Sequence, residues 1–269
     1  MLKDITFGQY YESGSVIHKT DPRAKILLLI VLIVFIFLAQ NAFALGFAAV
    51  SVAAILLISR VPLKLYLKNM KAILPVLIFT MLINMFYGDE GKVLVEIWKL
   101  TVTTGGISRA VFMASRIALL IFISSALTYT TTPNDLTDAI ERLLSPLKFI
   151  GLKSAVHTLA MMMTIALRFI PTLIEEAEKI MNAQKARGAD LENGKLKERV
   201  KALIPILIPL LISSVRRAYE LAEAMECRCY NGGEGRTRMK QLHFAARDAV
   251  VSAVTLCICG GIIALNILL

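Results

Sequence analysis

Two arginines in this sequence stand between small neighbours, in Ala186-Arg187-Gly188 and in Cys227-Arg228-Cys229. A guanidinium offers five donors in a rigid planar fork, and small flanks let a second surface approach it closely. The chemistry these residues suit is recognition, with bidentate bonds into an acidic or carbonyl-lined pocket of another protein. Cations at helix ends also answer the negative end of the helix dipole. On the residues alone both readings stand.

Residues for covalent chemistry are sparse. There are 3 histidines, His18, His157 and His243, and none has a second histidine one helical turn away. Carboxylates cluster tightly only at Glu175, Glu176 and Glu178, which read as one solvated helix face. No G-x-x-x-x-G-K-[ST] segment occurs, so the chain has no P-loop of its own. The 4 cysteines fall in two C-x-C pairs, Cys227/Cys229 and Cys257/Cys259, unlike common zinc spacings. They read as small apolar residues, and the chain is expected to bind no metal and no cofactor. The two internal cations Arg116 and Arg168 remain suspects, because charge inside an apolar helix is expensive and is kept for structure or function.

The elements that must position these residues follow from composition. Of 269 residues, 57% are hydrophobic and 19% charged, and the mean hydropathy is +0.67. A soluble domain is less apolar and more charged, so the chain falls in the membrane class. The fold expected is an all-α polytopic membrane protein. It has about five spans, near 24–39, 42–59, 72–87, 107–128 and 249–269, and a large cytoplasmic helical region. The corresponding divisions are 1–130 with four spans, 131–247 with the cytoplasmic helices, and 248–269 with the last span. Acids among the first 25 residues and the absence of a cleavage site argue against a removable signal segment.

Between the fourth and last spans the pattern changes. Thr132-Pro133-Asp135 opens a helix well, as cap, first-turn proline and dipole-matched acid. A long helix is expected over about 153–187, kinked at Pro171, which removes an i→i−4 bond. A second runs from 196 to 230 with Pro205 and Pro209 inside. Its apolar middle, 202–215, is short for a span. Two readings survive for 155–170 and 202–215. The preferred one is a core or interfacial helix pair under the membrane domain. The other is a re-entrant hairpin. A straight helix from 196 to 228 covers on the order of 48 Å, enough to address two separate sites.

Lys and Arg alternate by side. The segment before the first span carries Lys3, Lys19, Arg23 and Lys25, and the second loop Arg60, Lys64, Lys68 and Lys71. A further 18 lie between Arg142 and Arg247, and the first loop has none. The positive-inside rule then places the N-terminus and the 131–247 region in the cytoplasm and the C-terminus outside. The net charge of +10 belongs to those cytoplasmic segments, and no nucleic-acid partner is expected.

Several segments together resemble the transmembrane T component of energy-coupling factor (ECF) transporters, the prokaryotic ABC importers of vitamins and transition metals. Ser15-Val-Ile-His18-Lys-Thr-Asp21-Pro22-Arg23-Ala-Lys25 is similar to that family's S-x-(L/I)-H-x-x-D-P-R-x-K segment. Leu167 to Pro171 with Ala183 to Gly188 resembles its first signature, and Ala222 to Tyr230 its second. Gly232 to Thr237 resembles the variant that serves many substrate-binding subunits through one shared module.

The resemblance implies a non-catalytic coupling subunit in the cell membrane. It implies two ABC ATPase subunits as partners, and a membrane-embedded substrate-binding S component. Ala186, Arg187, Gly188, Cys227, Arg228 and Cys229 would dock on the ATPases, and Pro171, Pro205 and Pro209 would act as hinges. The sequence departs from the pattern at the second signature. Cys227 and Cys229 stand where the family has Ala and Gly, which argues against a left-handed helix cap there. A rival reading makes the chain a stand-alone membrane carrier or enzyme. Arg109, Arg116, Arg168 and the acidic cluster would then form an anionic-substrate site. A third makes it a scaffold for a partner without ATPase activity.

Overall fold

The computed structural model describes residues 10–86, 92–97, 100–146, 153–189, 196–232 and 243–268. Eight α-helices and one short hairpin are found among them. Helix α1 is Pro22–Leu38, α2 Ala42–Ser59, α3 Leu63–Phe86 and α4 Thr104–Thr130. Helix α5 is Pro133–Leu143, α6 Lys153–Ala186, α7 Leu196–Glu226 and α8 Ala246–Leu268. Strands β1 (Val93–Ile97) and β2 (Leu100–Thr103) pair antiparallel between α3 and α4. That hairpin was not expected from the sequence.

Six helical segments are long and apolar enough to cross a membrane: 42–59, 63–86, 104–130, 155–186, 201–226 and 246–268. This all-α membrane architecture is the one expected, but the six differ from the five spans read from sequence. At 17 residues α1 is marginally short, and α6 and α7 qualify. An uninterrupted apolar run is too strict a mark of a span, because a helix tolerates a few charges whose stems lie along apolar surface. The difference of degree is retained: the α6 and α7 segments have mean hydropathy 1.4, against 2.4 for 42–59. Helix α3 also starts nine residues before the expected 72, so Lys64, Lys68 and Lys71 lie on its first turns and not in a loop.

Contacts divide the chain into two units, with boundaries at Ala139/Ile140 and Met239/Lys240. In the first, α1, α2, α3, α4 and α8 share one core, built on Leu32, Ile36, Val52, Tyr66, Ile123 and Ile262. Small residues set the approach of the helices, as membrane packing without a strong hydrophobic drive requires. Ala44 and Ala48 are buried one turn apart on α2. A Cβ on Gly106 would stand 2.5 Å from the Met85 carbonyl oxygen, so α4 begins against the end of α3 only because that residue is glycine. Tyr66 and Tyr129 meet edge to face at 5.2 Å.

Polar groups join α1 to α8 at both ends. Asp21 caps α1, accepting from Arg23 N at 2.9 Å, with Pro22 at the first helical position. Asp21 N donates to Asp248 Oδ1 at 2.8 Å. At the other end Asn266 Nδ2 donates to the Leu38 carbonyl at 2.7 Å, and Gln40 N donates to Asn266 Oδ1 at 3.1 Å. The two helices therefore run parallel, and the start of α1 and the end of α8 lie at opposite ends of this unit.

The second unit contains α6 and α7. Helix α6 continues through Pro171, and α7 through Pro205 and Pro209. The two are antiparallel, since Glu176 pairs with Arg217 at 2.8 Å and Met161 meets Tyr230.

Candidate docking site at the helix ends

Both long helices finish in the same backbone motif. At the end of α6, Ala189 N bonds to Gln184 O at 3.0 Å and Gly188 N to Lys185 O at 3.0 Å. At the end of α7, Tyr230 N bonds to Met225 O at 3.0 Å and Cys229 N to Glu226 O at 2.8 Å. This is the Schellman arrangement, which consumes the orphan carbonyls of the last turn. It needs a left-handed residue directly after the cap. Gly188 has φ 86° and Cys229 has φ 54°. The expectation that losing glycine would remove the cap at the second signature is therefore corrected. The carbonyl-satisfying bonds outweigh a left-handed strain of roughly 1 kcal/mol for an L-residue.

Arg187 and Arg228 occupy equivalent cap positions. Both are exposed, as are Ala186, Gly188, Cys227 and Cys229. Neither guanidinium is ion-paired among the described residues. Each stands eleven residues beyond the Glu176–Arg217 pair, from 176 to 187 and from 217 to 228. At 1.5 Å per residue each arm is about 17 Å, so the arginines end about 33 Å apart along the hairpin. Beside Arg228 lies a cavity of about 510 Å³ lined by Met161, Ile165, Leu221 and Tyr230. Gly233 to Thr237 fall outside the described residues.

The other candidates are placed differently. Arg116 donates to the Ala39 carbonyl and lies 4.8 Å over the Phe112 ring. It completes the C-terminal end of α1, although its Nε has no hydrogen-bond partner among the described residues. Glu176 is held by Arg217, and Arg168 and Glu175 are exposed. Arg109 is exposed and already engaged. Arg116 and Glu176 are thus each used internally. Cys227, Cys229 and Cys257 are exposed and only Cys259 is buried. One pair sits at a helix end and Cys257 on an outer helix face.

The Ser15–Lys25 segment folds into a polar knot. His18 Nε2 donates to the Tyr11 carbonyl at 2.7 Å, and Nδ1 accepts from Ser15 Oγ at 2.7 Å. Burial holds His18 below its usual pKa, opposed by the Tyr11 carbonyl and reinforced by Lys25. Lys25 Nζ donates to Thr130 O at 2.8 Å and to His18 O at 3.2 Å. Asp248, almost fully buried, was the member missed. Its signal was an acid standing alone at the head of an apolar run.

The model of the cobalt transport protein family CbiQ matches residues 13–239, which include the Ser15–Lys25 segment and both helix ends. The chain belongs to this family of ECF transporter transmembrane components. An "Energy-coupling factor transporter transmembrane protein EcfT" of Ruminiclostridium cellulolyticum is 51% identical over 95% of this chain and 94% of its own length. Proteins of the same description from Bacillus selenitireducens and Bacillus subtilis are 46% and 42% identical. The alignments cover 98% of both chains in the first case, and 95% of this chain and 97% of the relative in the second. The chain is accordingly a multi-pass membrane component of an ECF transporter.

Proposed function

We propose that this T component couples two ABC ATPase subunits to a membrane-embedded S component during vitamin or transition-metal import. The observation that carries this is the pair of equivalent helix ends, each presenting from a Schellman cap an exposed arginine that is not ion-paired among the described residues. One cation shape offered twice, about 33 Å apart, suits a dimeric partner with two like pockets.

Arg187 and Arg228 enter those pockets as bidentate donors. Their small neighbours allow close seating, and the caps fix the direction of each side chain. When ATP closes the ATPase pair, the two arginines are carried with it. Helices α6 and α7 then pivot where Glu176 meets Arg217, and Pro171, Pro205 and Pro209 supply compliance where backbone bonds are missing. The arms are equal, so closure is transmitted evenly to the rest of the hairpin and on to the S component. This chain hydrolyses nothing and holds no substrate. The N-terminus and the hairpin are cytoplasmic, and the C-terminus is outside.

Co-expression with the ATPases and S component of the same genome tests this. A tagged wild-type chain is expected to retain both ATPases. Removing one partner of a desolvated charge pair costs about 2–5 kcal/mol. Arg187→Glu or Arg228→Glu should thus weaken retention at least about thirtyfold, and the double variant should abolish it together with uptake. Normal uptake by the double variant, inserted at wild-type level, would sink the proposal.

A further inference from the structure

The first turns of α3 carry three lysines, Lys64, Lys68 and Lys71, at steps of four and three residues. That spacing stacks them on one side of the helix, about 5–6 Å apart from one Cβ to the next. All three are exposed. The packed side of α3 is the opposite one. Tyr66 there meets Tyr129 edge to face, Asn69 Nδ2 donates to Ser125 Oγ at 3.4 Å, and Tyr129 Oη donates to the Leu65 carbonyl at 3.3 Å. That side lies on α4.

No neighbouring carboxylate neutralises this stripe. No Asp or Glu occurs from residue 22 to 88 or within α4, at 104–130. The acids at this end of the unit are engaged by other groups. Asp21 pairs with Arg23, Asp248 accepts from the N–H groups of Asp21 and Ala245, and Asp135 and Asp138 are engaged as well. Ser13 Oγ donates to the Ser59 carbonyl at 2.7 Å and so brings Glu12 toward Arg60, which does not belong to the stripe. None of the three lysines is ion-paired among the described residues. Like charges one turn apart destabilise a helix, so the stripe costs stability until an anion meets it. The same side continues apolar. Leu67, Leu74 and Ile78 are exposed and form one row with Lys71. Helix α3 is long and apolar enough to cross a membrane, so this row leads from the cations into hydrocarbon.

We propose that the first turns of α3 hold an anionic glycerophospholipid of the bilayer, its phosphate against Lys64, Lys68 and Lys71 and an acyl chain along Leu67, Leu74 and Ile78. Cations at a membrane boundary attract anionic headgroups. Lysine stems lie along apolar surface while the ammonium reaches the headgroup level. A soluble acidic protein would match the lysines but not the apolar row beyond them. A lipid matches both, because its charge and its chain belong to one molecule. The inference rests on α3 crossing the bilayer and not on ATPase docking.

The full chain is reconstituted in nanodiscs of equal phosphatidylglycerol and phosphatidylcholine, extracted in mild detergent, and examined by native mass spectrometry. Wild type should retain phosphatidylglycerol in preference. Lys68→Gln should lower that retention about fivefold, and adding Lys64→Gln and Lys71→Gln should lower it by a similar factor per charge, with circular dichroism unchanged. The single variant keeps the test open if the triple one fails to fold. Arginine at all three positions should keep the preference. Lys179→Gln with Lys201→Gln and Arg216→Gln removes the same charge from α6 and α7 and should leave retention as in wild type. Equal retention of the two lipids overturns the proposal. So does a preference that the Lys68 and triple variants do not lower, or that the α6 and α7 variant lowers as much. In cells that also express the ATPases and S component, the triple variant could instead lose one of those subunits with phosphatidylglycerol retention unchanged. That result would give the stripe to a protein partner and overturn the proposal.

Discussion

His18 shows how one ring ties the N-terminal segment together. Its Nε2–H is spent on the Tyr11 carbonyl, and its Nδ1 lone pair takes the Ser15 hydroxyl. Ser13 Oγ, also near that ring, donates to the Ser59 carbonyl at 2.7 Å. The neutral ring thus satisfies both sides, and a proton on Nδ1 would displace the Ser15 bond in a half-buried place beside Lys25. The folded pKa lies below the ordinary 6.5 of the unfolded chain. Between those values the unfolded chain binds more protons, so stability rises with pH through that window and is complete above 6.5. Thermal unfolding in detergent should show a melting temperature that falls as pH drops below about 6.5. His18→Gln should flatten that slope, and a slope unchanged in the variant would refute the assignment.

At the scale of the element, the end of α7 is the instructive case. Six backbone positions, Met225 to Tyr230, repeat the bonding of Gln184 to Ala189 although the glycine is gone. The cap holds a left-handed cysteine at a strain of roughly 1 kcal/mol. Cys229→Gly relieves that strain but enlarges the unfolded ensemble by about as much, so it should leave stability and ATPase retention near wild type. Cys229→Val places a β-branched side chain at φ 54°, where it fits worst. It should unwind the last turn, redirect Arg228 and weaken retention about fivefold to thirtyfold. Equal retention by the two variants would show that the cap does not aim the arginine. Helix α1 teaches the same lesson from its other end: Asn266 and Arg116 supply donors that its last carbonyls lack.

For the whole molecule, the parallel run of α1 and α8 sets an odd number of crossings between them. In the orientation proposed above, the charge bias puts the start of α1 in the cytoplasm. Alkaline phosphatase fused after Leu269 should be active, and green fluorescent protein fused there should be dark. A fluorescent fusion with inactive phosphatase would invert the orientation and remove the cytoplasmic setting that ATPase docking requires.

Much of this was legible in the residues. Apolar runs of sufficient length marked the membrane helices, because burial in hydrocarbon depends on composition along the chain and not on partners. Thr132, Pro133 and Asp135 marked the start of α5, and Asp135 N does bond to Thr132 Oγ1 at 3.2 Å, because capping is a local exchange between near neighbours. The two arginines in small surroundings were visible for the same reason. What sequence could not supply depends on residues far apart in the chain. Asp21 meets Asp248 across 227 positions, and Arg116 meets Ala39 across 77. No local pattern encodes those bonds, since they exist only once five helices have packed. The left-handed Cys229 belongs with them: propensity argued for glycine, and the bonding of the completed helix end overrode it.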